Sequence, residues 1–322
     1  MRALIQTAYG SPAGVALRDV PQPRLKDGDL LVRVHAAGLN AADRFLLRGE
    51  PYAVRPLAGG LRRPRAGFVV GRAVAGRVEQ VRGDVHDFAP GDDVLAESPS
   101  AVGEFARVPA RLAAPMPTGL SYAEAAALPV AGTTALQSVR GVRPGQRVLV
   151  TGAAGGVGSF AVQLATARGA DVTAVCAGRN VAMMHALGIE HVIDYERATV
   201  ADIAAFGQVF DMILDLAGNY PLAALRQALA PGGTLVLSVG TGGRWLGPAR
   251  RILAGVITGG RRVRTFTARP NSADLTELAS MVATGRIRPV IDRTYSFDEA
   301  ASALDRIDQG RVDGKIIVKV AG

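Results

Sequence analysis

Thirty residues, RVLVTGAAGGVGSFAVQLATARGADVTAVC (147–176), restrict this chain more than any other stretch. An apolar, β-branched run ends at Gly152. Gly155, Gly156, Val157 and Gly158 lead into an Ala-rich helical pattern, and a second apolar run, VTAVC, closes the unit. Strand, glycine turn, helix and strand in that order predict a βαβ unit with two parallel strands. The turn carries its own chemistry. A dinucleotide pyrophosphate needs backbone N–H groups at a helix N-terminus and no side chain in the way. Gly155 and Gly156 allow that approach, and Gly158 lets the helix pack close to the strand. The bland alternative is an ordinary strand-to-helix turn.

The alternation continues downstream. Apolar runs at HVIDY (191–195), FDMILDL (210–216) and GTLVLSVG (233–240) alternate with helical patterns at 157–168, 180–187, 199–205 and 221–229. This predicts a parallel sheet covered on both faces. Upstream, Ser121 with Glu124 three residues on forms a capping box, and the helix that follows is interrupted by Pro129. Residues 1–120 instead carry short β-type runs: DLLVRVHAAG (29–38), FVVGRAVAGRVEQV (68–81), PGDDVLAE (90–97) and GEFARVPARLAAPMP (103–117). After residue 261 come a strand, RRVRTFTA, helices in SADLTELASMVATG and FDEAASALDRID, and a terminal strand, GKIIVKV. The expected fold class is α/β. A β-rich domain spans 1–120, a Rossmann nucleotide-binding domain 121–262, and a return segment completing the first domain 263–322.

A chain of 322 residues with 48% hydrophobic content accommodates two domains and their cores. No run approaches the ~18 uninterrupted apolar residues of a membrane helix, and the start, MRALIQTAYG, has no apolar signal region. A soluble cytoplasmic protein without a membrane partner is the expectation. The net charge of +9 raises nucleic-acid binding. Only Lys26, Lys315 and Lys319 are lysine, however, so the charge reflects a general use of arginine. The densest cluster, Arg244, Arg250, Arg251, Arg261, Arg262 and Arg264, lacks interleaved aromatics apart from Trp245 and Phe266 at its ends. A solvated or anion-facing segment is expected there, not a nucleic-acid surface.

The end of the second strand selects the cofactor. NAD enzymes place a carboxylate there to bind the ribose 2′-OH. This chain offers Cys176, Ala177, Gly178, Arg179 and Asn180. No carboxylate in that run repels a 2′-phosphate, Arg179 can pair with one, and NADPH is expected over NADH. The alternative is a surface arginine that starts a helix. Cys176, the lone cysteine, excludes an intrachain disulfide and reads as packing.

Other chemistries lack their residues. The short-chain dehydrogenase Tyr–Lys pair is absent, because the six tyrosines are followed four positions later by Ala, Pro, Ala, Thr, Ala and Glu. There is no phosphate-transfer P-loop and no G-x-S-x-G elbow. His35, His86, His185 and His191 are scattered, and no Cys-x-x-Cys or His-x-x-x-His exists, so no metal site is expected.

The order of elements, with VRVHAAGLNAAD (32–43), VAGRVEQV (74–81), PGDDVLAE, EFARVPARLAAPMPTGLSYAEAAALPVAGTTALQ (104–137), the glycine turn, LGIEHVIDY (187–195) and GKIIVKV (314–320), resembles the medium-chain dehydrogenase/reductase superfamily. It is most similar to the zinc-independent, quinone oxidoreductase-like branch, which implies a GroES-like catalytic domain before the Rossmann domain. Zinc-dependent relatives carry a catalytic Cys where this chain reads AGLNAAD, Gly-His-Glu where it reads Gly71-Arg72-Ala73, and a four-cysteine lobe it lacks. Close relatives often have Asp in place of Ala73.

The resemblance implies site residues. Asn40 lies by the nicotinamide, with Asp43 and Tyr52 beyond it. Thr133 meets the carboxamide, and Tyr195 borders the 2′-phosphate. Ser238 and Gly240 meet the nicotinamide ribose. Phe266 and Thr267 border the nicotinamide and, in relatives, a homodimer interface. Structural alternatives are a turn residue for Asn40, an N-cap for Asp43, an interface residue for Tyr52 and helix back-bonding for Thr133. The implied reaction is NADPH-dependent reduction of a quinone or enone, with Asn40 and Tyr52 meeting the developing oxyanion. A zinc-free alcohol or aldehyde dehydrogenase and a non-catalytic NADPH-binding protein are the rival readings.

Overall fold

A computed structural model describes residues 1–198, 209–237, 263–310 and 312–321. The helix expected at 199–205, Ser238, Gly240 and the arginines at 244–262 lie outside the described residues. The chain divides into two compact units, Met1–Thr133 with Arg269–Gly322, and Thr134–Ala268.

The first unit opens with an antiparallel pair, β1 (Arg2–Gln6) and β2 (Val15–Asp19). The strands β3 (Asp29–Leu39), β4 (Ala73–Arg82), β5 (Asp93–Glu97), β6 (Phe105–Pro109) and β7 (Ala113–Pro115) follow. Helix α1 (Ala41–Arg48) leaves directly from the end of β3. β3 is apolar along almost its whole length because it pairs with both β4 and β6 and is covered by helix α2 (Tyr122–Ala127). The Ser121 hydroxyl accepts the Glu124 N–H, and the Glu124 carboxylate accepts the Ser121 N–H, as the capping box requires. Helix α3 (Ala131–Ser138) resumes after Pro129.

Among the described residues the second unit holds a six-stranded, wholly parallel sheet. Its strands are β8 (Arg147–Thr151), β9 (Asp171–Cys176), β10 (His191–Asp194), β11 (Phe210–Asp215), β12 (Leu229–Leu237) and β13 (Val263–Thr265), in the order β10-β9-β8-β11-β12-β13. Numbered from β8, this is the 3-2-1-4-5-6 order of the dinucleotide-binding fold. Helices α4 (Gly158–Ala167), α5 (Val181–Ala186) and α6 (Leu222–Gln227) occupy three expected positions. Leu149, Ile213 and Leu235, on three adjacent strands, are fully buried. Each contributes about 1.5–3 kcal/mol by leaving water.

The chain then returns to the first unit through helix α7 (Ser272–Ala283), β14 (Ile291–Ser296), helix α8 (Ala300–Asp308) and β15 (Lys315–Lys319). β15 pairs antiparallel with β3, giving a sheet ordered β14-β15-β3-β4-β5-β7 with β6 also on β3. Ala300, Ala303, Leu304 and Ile307 of α8 enter its core.

Two boundaries differ from the sequence expectation. Residues 121–133 belong to the first unit because α2 packs on β3 and β4. Residues 263–268 belong to the second because β13 pairs with β12. Among the described residues no helix is long and apolar enough to cross a membrane.

Candidate functional site

In the second unit, the strand order reverses between β8 and β11, and ligands of such sheets bind beyond the strand ends at that point. There the Thr151 hydroxyl donates to Asp215 Oδ1 at 2.8 Å, and Asp215 is fully buried. The glycine turn is built as the sequence predicts. Gly152 takes a left-handed φ of 66° and Gly155 N–H donates to its carbonyl at 3.1 Å. A Cβ on Gly158 would lie 2.1 Å from Gly152 O and 2.7 Å from Ala153 Cα, so only glycine lets α4 start here. Among the described residues the N–H groups of Gly156 and Val157 have no acceptor. Orphan donors at a helix start suit a phosphate, so this turn fits a dinucleotide.

The end of β9 holds more than the sequence suggests. Cys176 is buried, pairs in register with Asp194 of β10, and its carbonyl accepts the Tyr195 N–H at 3.1 Å. Arg179 is exposed on the 3-10 turn Gly178–Asn180, whereas Asn180 is buried. Tyr195 is one of the most exposed large apolar side chains. The chain run 176–180 has no carboxylate, yet the neighbouring strand brings one. A Cβ on Gly178 would lie 2.6 Å from Asp194 Oδ2. The Arg197 guanidinium lies 3.7 Å from the same carboxylate. Tyr220 joins this end as well: burial first, then Asp215, Tyr195 and Cys176, push its hydroxyl up to about 12.

In the first unit, Asn40 and Asp43 stand at the start of α1. Asn40 is the N-cap, and Asp43 Oδ2 accepts the Asn40 N–H at 2.7 Å. Asp43 is thus the carboxylate half of a capping arrangement, and it is only 2% exposed. Its Oδ1 is buried without a hydrogen-bond partner. Sequence reasoning missed Lys315, the first residue of β15. Its ammonium, equally buried, donates to Leu39 O at 2.9 Å and to Asn40 Oδ1. Alongside, Arg72 pairs with buried Glu97 at 2.5 Å.

Burial dominates the electrostatics of this cluster. It raises Asp43 to about 6 against the pull of the Asn40 N–H, Lys315 and Arg72, and lowers Lys315 to about 7 against the pull of Asp43. Glu97 is also raised, by burial first, with Arg72 opposing and Asp43 adding to it. The native state holds the Asp43 proton more tightly than a free carboxyl of 3.8, so stability falls as pH rises from about 4 to about 6. Lys315 binds its proton less tightly than a free amine of 10.5, so its contribution makes stability rise from about pH 7 upward. Asp43→Asn should flatten the acid limb. Thermal midpoints of the two proteins from pH 4 to 6 check this, and parallel curves contradict it.

Tyr52 opens a 3-10 segment, Tyr52–Ala58, beyond the far end of α1. The Arg55 guanidinium lies over the rings of both Tyr52, at 4.2 Å, and Tyr9, at 4.8 Å. It also donates to Gly49 O at 2.9 Å and Leu61 O at 2.8 Å. Arg55 therefore pins the loop that carries Tyr52. Arg55→Ala should free this loop and speed amide hydrogen exchange across Tyr52–Ala58. Unchanged exchange would contradict this role.

Thr133 is buried in α3. Phe266, half-buried just after β13, donates its N–H to Leu237 O at 3.4 Å, and Thr267 is exposed. Among the described residues no three His, Cys, Asp or Glu side chains cluster for a metal ion.

Residues 26–134 match the family model described as alcohol dehydrogenase GroES-like domain, and residues 187–318 the model described as zinc-binding dehydrogenase. The chain belongs to the medium-chain dehydrogenase/reductase superfamily. Within this superfamily of oxidoreductases it falls in the quinone oxidoreductase-like branch. A chloroplast envelope quinone oxidoreductase homolog of Arabidopsis thaliana is 30% identical over 335 residues, spanning 99% of this chain and 98% of its own. A mitochondrial NAD(P)H oxidoreductase of Mus musculus is 31% identical over 323 residues, spanning 91% and 82%. The structure of the quinone oxidoreductase from Coxiella burnetii superposes with a TM-score of 0.89 at 28% identity, covering 100% of this chain and 99% of that one.

Proposed function

We propose that this medium-chain oxidoreductase reduces a quinone or an α,β-unsaturated carbonyl with NADPH and without zinc. One observation carries the reading. Where zinc-dependent relatives place metal ligands, this chain places Asn40 and Arg72, with the ammonium of Lys315 on the Asn40 side chain. Arginine has no lone pair for a metal, and the Arg72 charge opposes a metal cation beside Glu97. Zinc does not fit this donor set. The same charge suits an oxygen that becomes negative. Acceptors that delocalise charge, such as quinones and enones, need no Lewis acid on the carbonyl.

NADPH, when bound, supplies the hydride. The turn Gly155–Gly158 would hold its pyrophosphate, and Phe266 and Thr267 its nicotinamide end. In this reading Asn40 donates to the developing enolate or hydroquinone oxygen, with Tyr52 or water returning the proton. Arg179 takes the 2′-phosphate, with Arg197 close by. NADH is the second reading, because Asp194 lies where a carboxylate accepts a ribose 2′-OH.

The NADPH/NADH ratio of kcat/KM separates the two. The wild-type ratio should exceed one and fall about tenfold in Arg179→Ala, the cost of one charge-assisted contact. A ratio below one that Arg179→Ala leaves unchanged and Asp194→Asn inverts would reverse the assignment. We further propose a cytoplasmic homodimer with a small-molecule acceptor as the other partner. Among the described residues β13 is an edge strand, paired only with β12, and edges invite strand pairing. Sedimentation at micromolar concentration tests the dimer.

A further inference from the structure

We infer that Lys315 is a positioning residue that fixes the Asn40 carboxamide with its oxygen turned inward, so that an Nδ2 hydrogen is the side-chain polar group Asn40 offers to a bound molecule. The register of the sheet brings the two together across 275 residues: Ile316 of β15 faces Leu39 of β3, which sets Lys315 beside Asn40 where β3 ends. In the ammonium form, held below about pH 7, the group is a donor only. Facing it, Asn40 must present Oδ1, since a flipped carboxamide would set N–H₂ against N–H₃⁺. The Asn40 Nδ2 group spends one hydrogen on Gly38 O at 3.2 Å. Among the described residues its second hydrogen has no acceptor.

The backbone of residue 40 is held as well. Asp43 accepts its N–H, and Lys315 also donates to the preceding carbonyl, Leu39 O. Residue 40 is therefore gripped at its amide hydrogen, at the carbonyl before it and at its side-chain oxygen. A buried lysine is costly to keep. Packing alone would be met by methionine, which has an unbranched stem of similar length and no N–H donor. What lysine adds is the orientation of Asn40, and that orientation decides whether the site offers a donor or an acceptor. An outward donor stabilises negative charge on oxygen, whereas an outward carbonyl would repel it. The consequence for turnover rests on the hydride-transfer reading above, but the orientation does not.

Two measurements test the inference. In kinetics, Lys315→Met should lower kcat about 10–100-fold, the usual effect of losing an orienting partner, with the NADPH KM within about twofold of wild type. In an Asn40→Ala background the same change should cost less than about twofold, since there is no carboxamide left to orient. An equal loss in both backgrounds would overturn the positioning role. Neutron diffraction of the wild-type protein decides the orientation without turnover and without a variant that must fold. Deuterons on the Asn40 atom facing away from Lys315 support the inference, and deuterons on the atom facing it overturn it. A wild type that turns over no acceptor but shows the inward oxygen would reject hydride transfer and leave the positioning standing.

Discussion

Gly158→Ala should weaken binding of the nicotinamide cofactor severely. The added Cβ would meet the Gly152 carbonyl oxygen at 2.1 Å and the Ala153 backbone at 2.7 and 2.8 Å. All three contacts are backbone atoms of the same turn, so no side chain can swing aside. α4 must shift away from β8, carrying Phe160, Val162 and Leu164 out of their fully buried places. Overpacking of this kind costs about 1–3 kcal/mol. The helix start that presents the Gly156 and Val157 N–H groups moves with it. We expect NADPH affinity to fall more than about 100-fold, with a lower thermal midpoint, by titration calorimetry and thermal unfolding. Gly155→Ala is the control for the fold. Its nearest neighbour, Gly152 O, is at 3.4 Å, an ordinary contact, so the thermal midpoint should hold. Wild-type affinity in Gly158→Ala would contradict the placement of the pyrophosphate.

Asn40→Ala should lower kcat about 100-fold or more, the range seen when an oxyanion donor is removed. The substitution has a structural cost too. Lys315 keeps Leu39 O as a partner but loses Asn40 Oδ1, and a buried donor without its acceptor costs about 1–3 kcal/mol. Asn40→Asp separates these effects. Its carboxylate still accepts from Lys315 and should restore the thermal midpoint, but it has no N–H to offer, so kcat should stay low. Recovery of kcat in Asn40→Asp would remove Asn40 from the donor role. Steady-state kinetics beside differential scanning calorimetry gives both quantities.

What the sequence made legible follows from how local each signal is. The βαβ unit was readable because strand, turn and helix patterns adjoin and Gly158 permits only one packing. Strands β3, β4, β8, β9 and β11 were readable as apolar runs. β2 and β14 were not, because they are short edge elements with few buried residues. IDRTYS of β14 has no fully buried position. The site residues divide the same way. Asn40 and Asp43 came from one loop. Lys315 came from the far end of the chain and meets them only through the pairing of β15 with β3. Asp194 comes beside the end of β9 through the β9–β10 register, so a run scanned for carboxylates along the chain alone missed it. Arg55 was hidden because its role is to stack on Tyr9 and Tyr52, a contact no spacing rule encodes.

The central claim is hydride transfer from NADPH to a conjugated acceptor without a metal on the carbonyl. NADPH deuterated at the transferable position, incubated with the enzyme and a simple enone after dialysis against a chelator, tests it directly. The account predicts deuterium at the β-carbon of the saturated ketone, a proton from water at the α-carbon, and a rate unchanged by the chelator. Deuterium at the carbonyl carbon, or turnover that returns only with added zinc, would contradict it.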